Sequence, residues 1–344
     1  MPANIRAIEF HLPDKRLTNV DLAAEFPDWS VAKIEKKTGI EERRLASQEE
    51  CASDLAVAAA EKLFAAGACR PQEIDYVLLC TQSPDYFLPT TACLLQDRLR
   101  IPTSAGALDF NLGCSGFVYG LSLAKGLIET AQATKVLLVT AETYSKFIHP
   151  RDKSVRTIFG DAAAATLVQE TDHQRNPSGA AMGPFVFGTD GRGAENLIVR
   201  TGGMRRPQQA GNSQPYQDFH GNWRTEDNLY MNGPEIFTFT LQSVPDAVHE
   251  LLKKADKTRD DVDLFVFHQA NQYILEHLRK KIRIPKERYC VALRECGNTV
   301  SSTIPIALKS AMDTERLRPG DLVMLVGFGV GYSWGAMLLR WPAW

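Results

Sequence analysis

The chain has 344 residues, 44% of them hydrophobic and 23% charged, with a net charge of −2. That is ordinary globular composition, with room for a large core and about two domains as a prior. The charge balance gives no reason to expect a nucleic-acid or membrane partner.

Taken in chain order, residues 1–21 carry charges from Arg6 onward and lack a long apolar run, unlike a signal peptide. Residues 51–68 are Ala-rich with helical apolar spacing, and a break and a short apolar strand ending at Cys80 follow. Residues 90–101 read as a helix, 104–112 as a strand, 116–133 as a helix and 135–142 as a strand. Continuous apolar strands separated by helices predict a sheet covered on both faces. No run of about 18 apolar residues suggests a membrane span.

The second half repeats the order. Residues 246–271 match the helix, polar turn and strand that precede residue 82, and residues 297–329 match the stretch ending at residue 142. Two strand pairs stand at one shift of 187 residues (82 to 269, and 136 to 323). This predicts an internal duplication of a helix–strand–helix–strand unit, with copies far longer than solenoid repeats. Between the copies, residues 188–230 are rich in Gly, Gln, Asn and Arg without a sustained period, which predicts a long irregular insertion.

Seven cysteines, at 51, 69, 80, 93, 114, 290 and 296, are odd in number and contain no CxxC pair. Neither a disulfide framework nor a zinc site is expected, and a reducing, cytoplasmic setting fits better.

In open α/β sheets, ligands bind beyond the carboxyl ends of strands. Three such ends carry chemistry here: Cys114 in Gly-Cys-Ser-Gly, His268 in His-Gln-Ala-Asn, and Asn298 after Gly297. A cysteine at a helix start meets free N–H groups and the positive end of the dipole, which favour the nucleophilic thiolate. A small cysteine at a tight crossing is an equally good reading of position alone. His268 taken singly is more often a core histidine bonded to a carbonyl, and Gly-Asn is an ordinary turn pair. Together, a cysteine and two neutral hydrogen-bonding groups suit acyl transfer through a thioester. Asp161, among small residues, reads as structural. The basic run at residues 277–288 reads first as a solvated helix face, and otherwise as a dock for a phosphate-bearing or acidic carrier.

The chain resembles the β-ketoacyl-acyl-carrier-protein synthase III (FabH-like) class of the thiolase superfamily nearly end to end. The resemblance rests on KKTGIEERRLA (36–46), SPDYFLPTTACLLQDRL (83–99), GCSGF, FGDAAAA, MNG (231–233), HQAN, GNTVSS and GFGVGYSWG (327–335), in that order. It implies an α/β thiolase-like fold of five αβαβα layers, as a homodimer. One half, residues 1–172, would hold the nucleophile Cys114. The other, residues 173–344, would hold His268 and Asn298, with 188–230 capping the pocket. The implied reaction loads an acyl group from acyl-CoA onto Cys114. It then condenses that group with malonyl-ACP, losing carbon dioxide, without metal or cofactor. Transfer of the acyl group to a hydroxyl or amine without decarboxylation is the alternative.

By the same resemblance, the backbone N–H groups of Cys114 and Val330 would form the oxyanion hole. Leu88, Phe328, Gly329 and Gly331 would border the substrate pocket, and Lys37, Lys153, Tyr273, Arg279, Lys280 and Arg283 would contact coenzyme A or acyl carrier protein. The chain departs from the family pattern at several places, among them a longer 188–230 insertion and three single positions. Tyr273 stands where an arginine is common, Lys33 replaces the tryptophan that packs on adenine, and Leu88 replaces a phenylalanine reaching the partner's pocket.

Overall fold

A computed structural model describes residues 2–171, 182–208 and 213–342. The first sheet runs, in spatial order, Ala3–His11, Ala162–Glu170, Lys135–Glu142, Tyr76–Cys80 and Gly106–Phe110. Its last three strands are mutually parallel, and the first two pair antiparallel. The second sheet runs Leu264–Phe267, Leu322–Gly329, Ser333–Arg340 and Met182–Thr189, again with a parallel pair followed by antiparallel pairs. The predicted repeat is visible at its ends: Lys135–Glu142 and Leu322–Gly329 share both boundaries at the same shift of 187 (135 to 322, 142 to 329). The counterpart of the outermost parallel strand is reduced to one bridge between Phe265 and Tyr289.

Strand side chains alternate between two faces, so a strand buried on both sides feeds two cores. Val323 and Leu325 join Val136 and Leu138 in a central cluster with Phe117, Leu121, Ile304 and Leu308. These last four come from the helices Gly116–Glu129 and Thr303–Asp313, which form the middle layer. Leu137, Val139 and Ala141 face the helices Ala52–Ala65 and Thr91–Arg98. Met324, Val326 and Phe328 face Gly233–Lys254 and Gln272–Ile282. The result is the expected five-layered αβαβα thiolase-like architecture, with strand carboxyl ends from both sheets meeting at one place.

The boundary expected at 172/173 lies outside the described residues. The insertion is less irregular than its composition predicts. Residues 188 and 189 close a core strand, Leu197–Ile198 pairs with Tyr230–Met231, and Tyr216–Gln217 pairs with Trp223–Arg224. Two-residue strands are too short to leave a period in the sequence. Buried Arg224 ties this segment down through Asp152 (3.0 Å) and Asp218 (2.7 Å). Among the described residues, no helix is long and apolar enough to cross a membrane, and no cluster of His, Cys, Asp and Glu could hold a metal ion.

Candidate active site

Cys114 sits in the turn between the strand Gly106–Phe110 and the helix Gly116–Glu129. The strand Leu322–Gly329 runs against this turn because two of its residues have no side chain. A Cβ on Gly327 would stand 2.7 Å from both the carbonyl oxygen of Cys114 and Cα of Ser115. A Cβ on Gly329 would stand 3.1 Å from Cys114 Sγ. Among the described residues, no turn hydrogen bond gives the N–H of Cys114 or Val330 a backbone acceptor.

Cys114 is buried, as the small-cysteine reading of its position has it, and burial disfavours the thiolate that a helix start would favour. Burial raises its pKa well above the ordinary thiol value, and the nearby Glu142 carboxylate adds to the rise. Only its own backbone N–H acts in the opposite direction.

His268 and Asn298 come from the other half. The backbone N–H of His268 donates to the Val326 carbonyl (2.8 Å), which fixes it at the end of its strand. Its Nδ1 lies 2.7 Å from Thr303 Oγ1, and its Nε2 lies 3.5 Å from Asn298 Nδ2. The Asn298 loop is pinned across the halves: its N–H donates to Ile158 O (2.9 Å) and its carbonyl accepts from Gly160 N–H (3.0 Å). Asn298 Oδ1 accepts from the Val300 N–H at 2.9 Å, so Nδ2 is the end turned toward the imidazole. Burial pulls the His268 pKa down to about 3, and the ring is neutral at ordinary pH.

Cys114, His268, Asn298, Phe328, Gly329 and Tyr273 line one mostly apolar cavity of about 350 Å³. A more open cleft, about 730 Å³, shares Asn271 and Tyr273 with it and is edged by Lys33, Lys36 and Lys37. Lys37 Nζ lies 4.8 Å from the Trp29 ring centre. Basic side chains thus flank the route to the sulfur.

Other expected contacts lie elsewhere. Arg279 and Lys280 both pair with Glu276, at 2.7 and 3.4 Å, and Arg283 caps the end of the helix Gln272–Ile282. That helix rises about 1.5 Å per residue, which carries Arg283 about 15 Å from Tyr273. Arg279 borders a separate surface cleft with Lys286 and Arg316. Lys153 Nζ lies 3.5 Å from the Cβ position of Gly221, beside the Tyr216–Gln217 and Trp223–Arg224 ladder. Leu88 is 87% exposed and does not line this chain's own cavity. Gly331 forms the turn into the strand Ser333–Arg340, and Val330 packs in the apolar cluster that holds Cys114.

Two residues at the site were missed in the sequence. Thr303 is the partner of His268. Glu142 is fully buried, with its carboxylate accepting from the Gln82 N–H and from the hydroxyls of Ser83 (3.1 Å) and Ser301 (3.0 Å). At the same shift Thr303 falls opposite Gly116 and Glu142 opposite Gly329, so the repeat carries no sign of either role. Asp161 is structural in its contacts, accepting from the N–H groups of Ala46 and Ser145 at 2.8 Å each.

Comparison with known proteins agrees with this geometry. The family model for 3-oxoacyl-[acyl-carrier-protein] synthase III matches residues 108–191, and the model of its C-terminal part matches residues 252–341. The β-ketoacyl-[acyl-carrier-protein] synthase III 3 of Streptomyces coelicolor is 38% identical over 332 residues, 96% of this chain and 95% of that protein. The synthase III of Caldanaerobacter subterraneus is 33% identical over 339 residues, 98% of each chain. A crystal structure of a 3-oxoacyl-(acyl-carrier-protein) synthase III matches with a TM-score of 0.95 at 54% identity, covering 99% of this chain and 100% of that one. With matches that run nearly its whole length in both sequence and fold, the chain belongs to the 3-oxoacyl-[acyl-carrier-protein] synthase III family.

Proposed function

We propose that this chain is a decarboxylating condensing enzyme that joins an acyl group from acyl-CoA to malonyl-ACP, giving a 3-oxoacyl-ACP. The observation that carries the reading is the single cavity lined by Cys114 from one half and by His268 and Asn298 from the other. In the first step Cys114 Sγ attacks the thioester carbonyl. The C–S bond to coenzyme A breaks, and the sulfur leaves with the cysteine's proton. The N–H groups of Cys114 and Val330 hold the developing oxyanion.

In the second step the bond from the malonyl group to its carboxylate breaks. Carbon dioxide leaves, and the electron pair passes into an enolate. His268 Nε2–H and Asn298 Nδ2–H donate to the thioester oxygen that gains this charge. The enolate carbon then attacks the acyl group, and Cys114 is released. The pair freed by loss of carbon dioxide forms the new carbon–carbon bond, the C–S pair goes to Cys114 sulfur, and nothing is oxidised or reduced, so the balance calls on no redox cofactor.

The first half, residues 1–172, thus supplies the acyl acceptor, and the second, 173–344, the decarboxylating pair. Lys37 and Tyr273, at the mouth, are the contacts best placed for the phosphates of coenzyme A or the carrier. Tyr86, Phe87 and Leu88, exposed at 62, 76 and 87%, support a homodimer interface in which Leu88 reaches the partner's pocket. Free cysteines throughout the described chain support a cytoplasmic setting. Plain acyl transfer to a hydroxyl or amine is the weaker reading, because it gives two donors facing one point no task.

Mass measurement of the intact protein after incubation with a panel of acyl-CoA thioesters tests this. One acyl adduct is expected on the wild type and none on Cys114→Ala, with carbon dioxide released from malonyl-ACP only by acylated protein. Product formation by Cys114→Ala would end the proposal.

A further inference from the structure

Thr303 Oγ1 has two acceptors within reach and one proton to give: His268 Nδ1 at 2.7 Å and the Val300 carbonyl at 3.1 Å. The shorter contact is a good O–H···N distance and the longer is beyond the usual O–H···O range. The other end of the imidazole points to the same assignment. Asn298 Oδ1 is already taken by the Val300 N–H, so Asn298 presents N–H groups to His268 Nε2. Were Nε2 a bare acceptor, the carboxamide would close on it at about 3 Å. The pair instead stands 3.5 Å apart, the spacing of two donors with room to converge on a third atom. Among the described residues no carboxylate hydrogen-bonds the ring, and Thr303 opens the helix Thr303–Asp313, whose positive end disfavours an imidazolium.

We propose that Thr303 is a positioning residue that donates to His268 Nδ1 and so holds the imidazole in its Nε2–H tautomer, the form that can donate to a substrate oxygen. This rests on the condensing reading for its effect on rate, though the tautomer itself does not. In a neutral histidine the two nitrogens share one proton, and the partner of one decides the role of the other. Without the hydroxyl, Nδ1 in this buried site has no donor, and the tautomer with hydrogen on Nδ1 and a lone pair at Nε2 becomes favoured. That lone pair would accept from Asn298 and close the gap where the thioester oxygen belongs.

Thr303→Val keeps the shape and removes the hydroxyl, while Thr303→Ser keeps the hydroxyl. With histidine labelled in ¹⁵N, wild type and Thr303→Ser should show His268 Nε2 as the protonated nitrogen, and Thr303→Val should lose that preference. Decarboxylation of malonyl-ACP should fall about tenfold or more in kcat for Thr303→Val. KM and Cys114 acylation should stay near wild type, and Thr303→Ser should recover the rate. A wild-type His268 protonated at Nδ1 overturns the proposal, as does a Thr303→Val protein that keeps both the Nε2–H tautomer and the rate. A wild type that carries the Nε2–H tautomer yet never decarboxylates malonyl-ACP would instead count against the condensing reading and leave the tautomer assignment standing.

Discussion

Burial holds the His268 imidazole neutral, and this has a direct consequence for pH. The ring is 2% exposed and its pKa is pulled down to about 3, so it is neutral from about pH 5 upward. Its ¹³Cε1–H resonance should therefore stay fixed between about pH 5 and 8, where an ordinary imidazole titrates near 6.5. A midpoint near 6.5 would mean that the ring is solvated and available as an acid. The same residue shows what a sequence can and cannot disclose. The types and strand-end positions of Cys114, His268 and Asn298 are legible, since a reactive or polar residue after an apolar run stands out. The protonation states are not. They depend on desolvation and on which atom each side chain faces, such as the Thr303 hydroxyl against His268 Nδ1, and neither leaves a mark in the sequence.

At the scale of elements, the repeat made the fold readable. A continuous apolar strand flanked by helices has one stable use, and finding it twice at one shift fixes two covered sheets. What the repeat could not convey is divergence between its copies. The outer strand of the second sheet has shrunk to the Phe265–Tyr289 bridge, and Arg279, near the end of the helix Gln272–Ile282, borders a cleft of its own. The contact between the strand Leu322–Gly329 and the cysteine turn depends on Gly327. A methyl group there would meet backbone atoms of Cys114 and Ser115 at 2.7 Å, and backbone cannot rotate aside. Gly327→Ala should cost about 1–3 kcal/mol of stability and slow Cys114 acylation, read by denaturant unfolding and by adduct formation with time. If stability and acylation both remained at wild-type values, strand and turn would not be in contact.

At the scale of the whole molecule, the two halves are joined near the site by polar contacts as well as apolar packing. Ser115 and Ser333 hydroxyls meet at 2.7 Å, Thr140 and Ser302 at 2.9 Å, and Glu142 of one half accepts from Ser301 of the other. Glu142 makes this seam sensitive to pH. Burial raises its pKa from 4.5 to about 8, against the hydrogen bonds from Gln82, Ser301 and Ser83 that favour the carboxylate. Between those two values the folded protein keeps a proton that the unfolded chain releases, so stability falls as pH rises across that interval and levels off above about 8. His268, lowered toward 3 from 6.5, acts with the opposite sign but only below 6.5. Asp161, raised to about 6 from 3.8, has finished titrating by then. The interval from pH 6.5 to 8 therefore belongs largely to Glu142, which should cost about 2 kcal/mol across it. Thermal unfolding of wild type and Glu142→Gln across that interval separates the causes: the wild-type Tm should drop with rising pH, and the variant, having no proton to lose at this position, should give a flatter line. Parallel slopes for the two proteins would show that the seam's carboxylate is ionised in the folded state and that the pH dependence arises elsewhere.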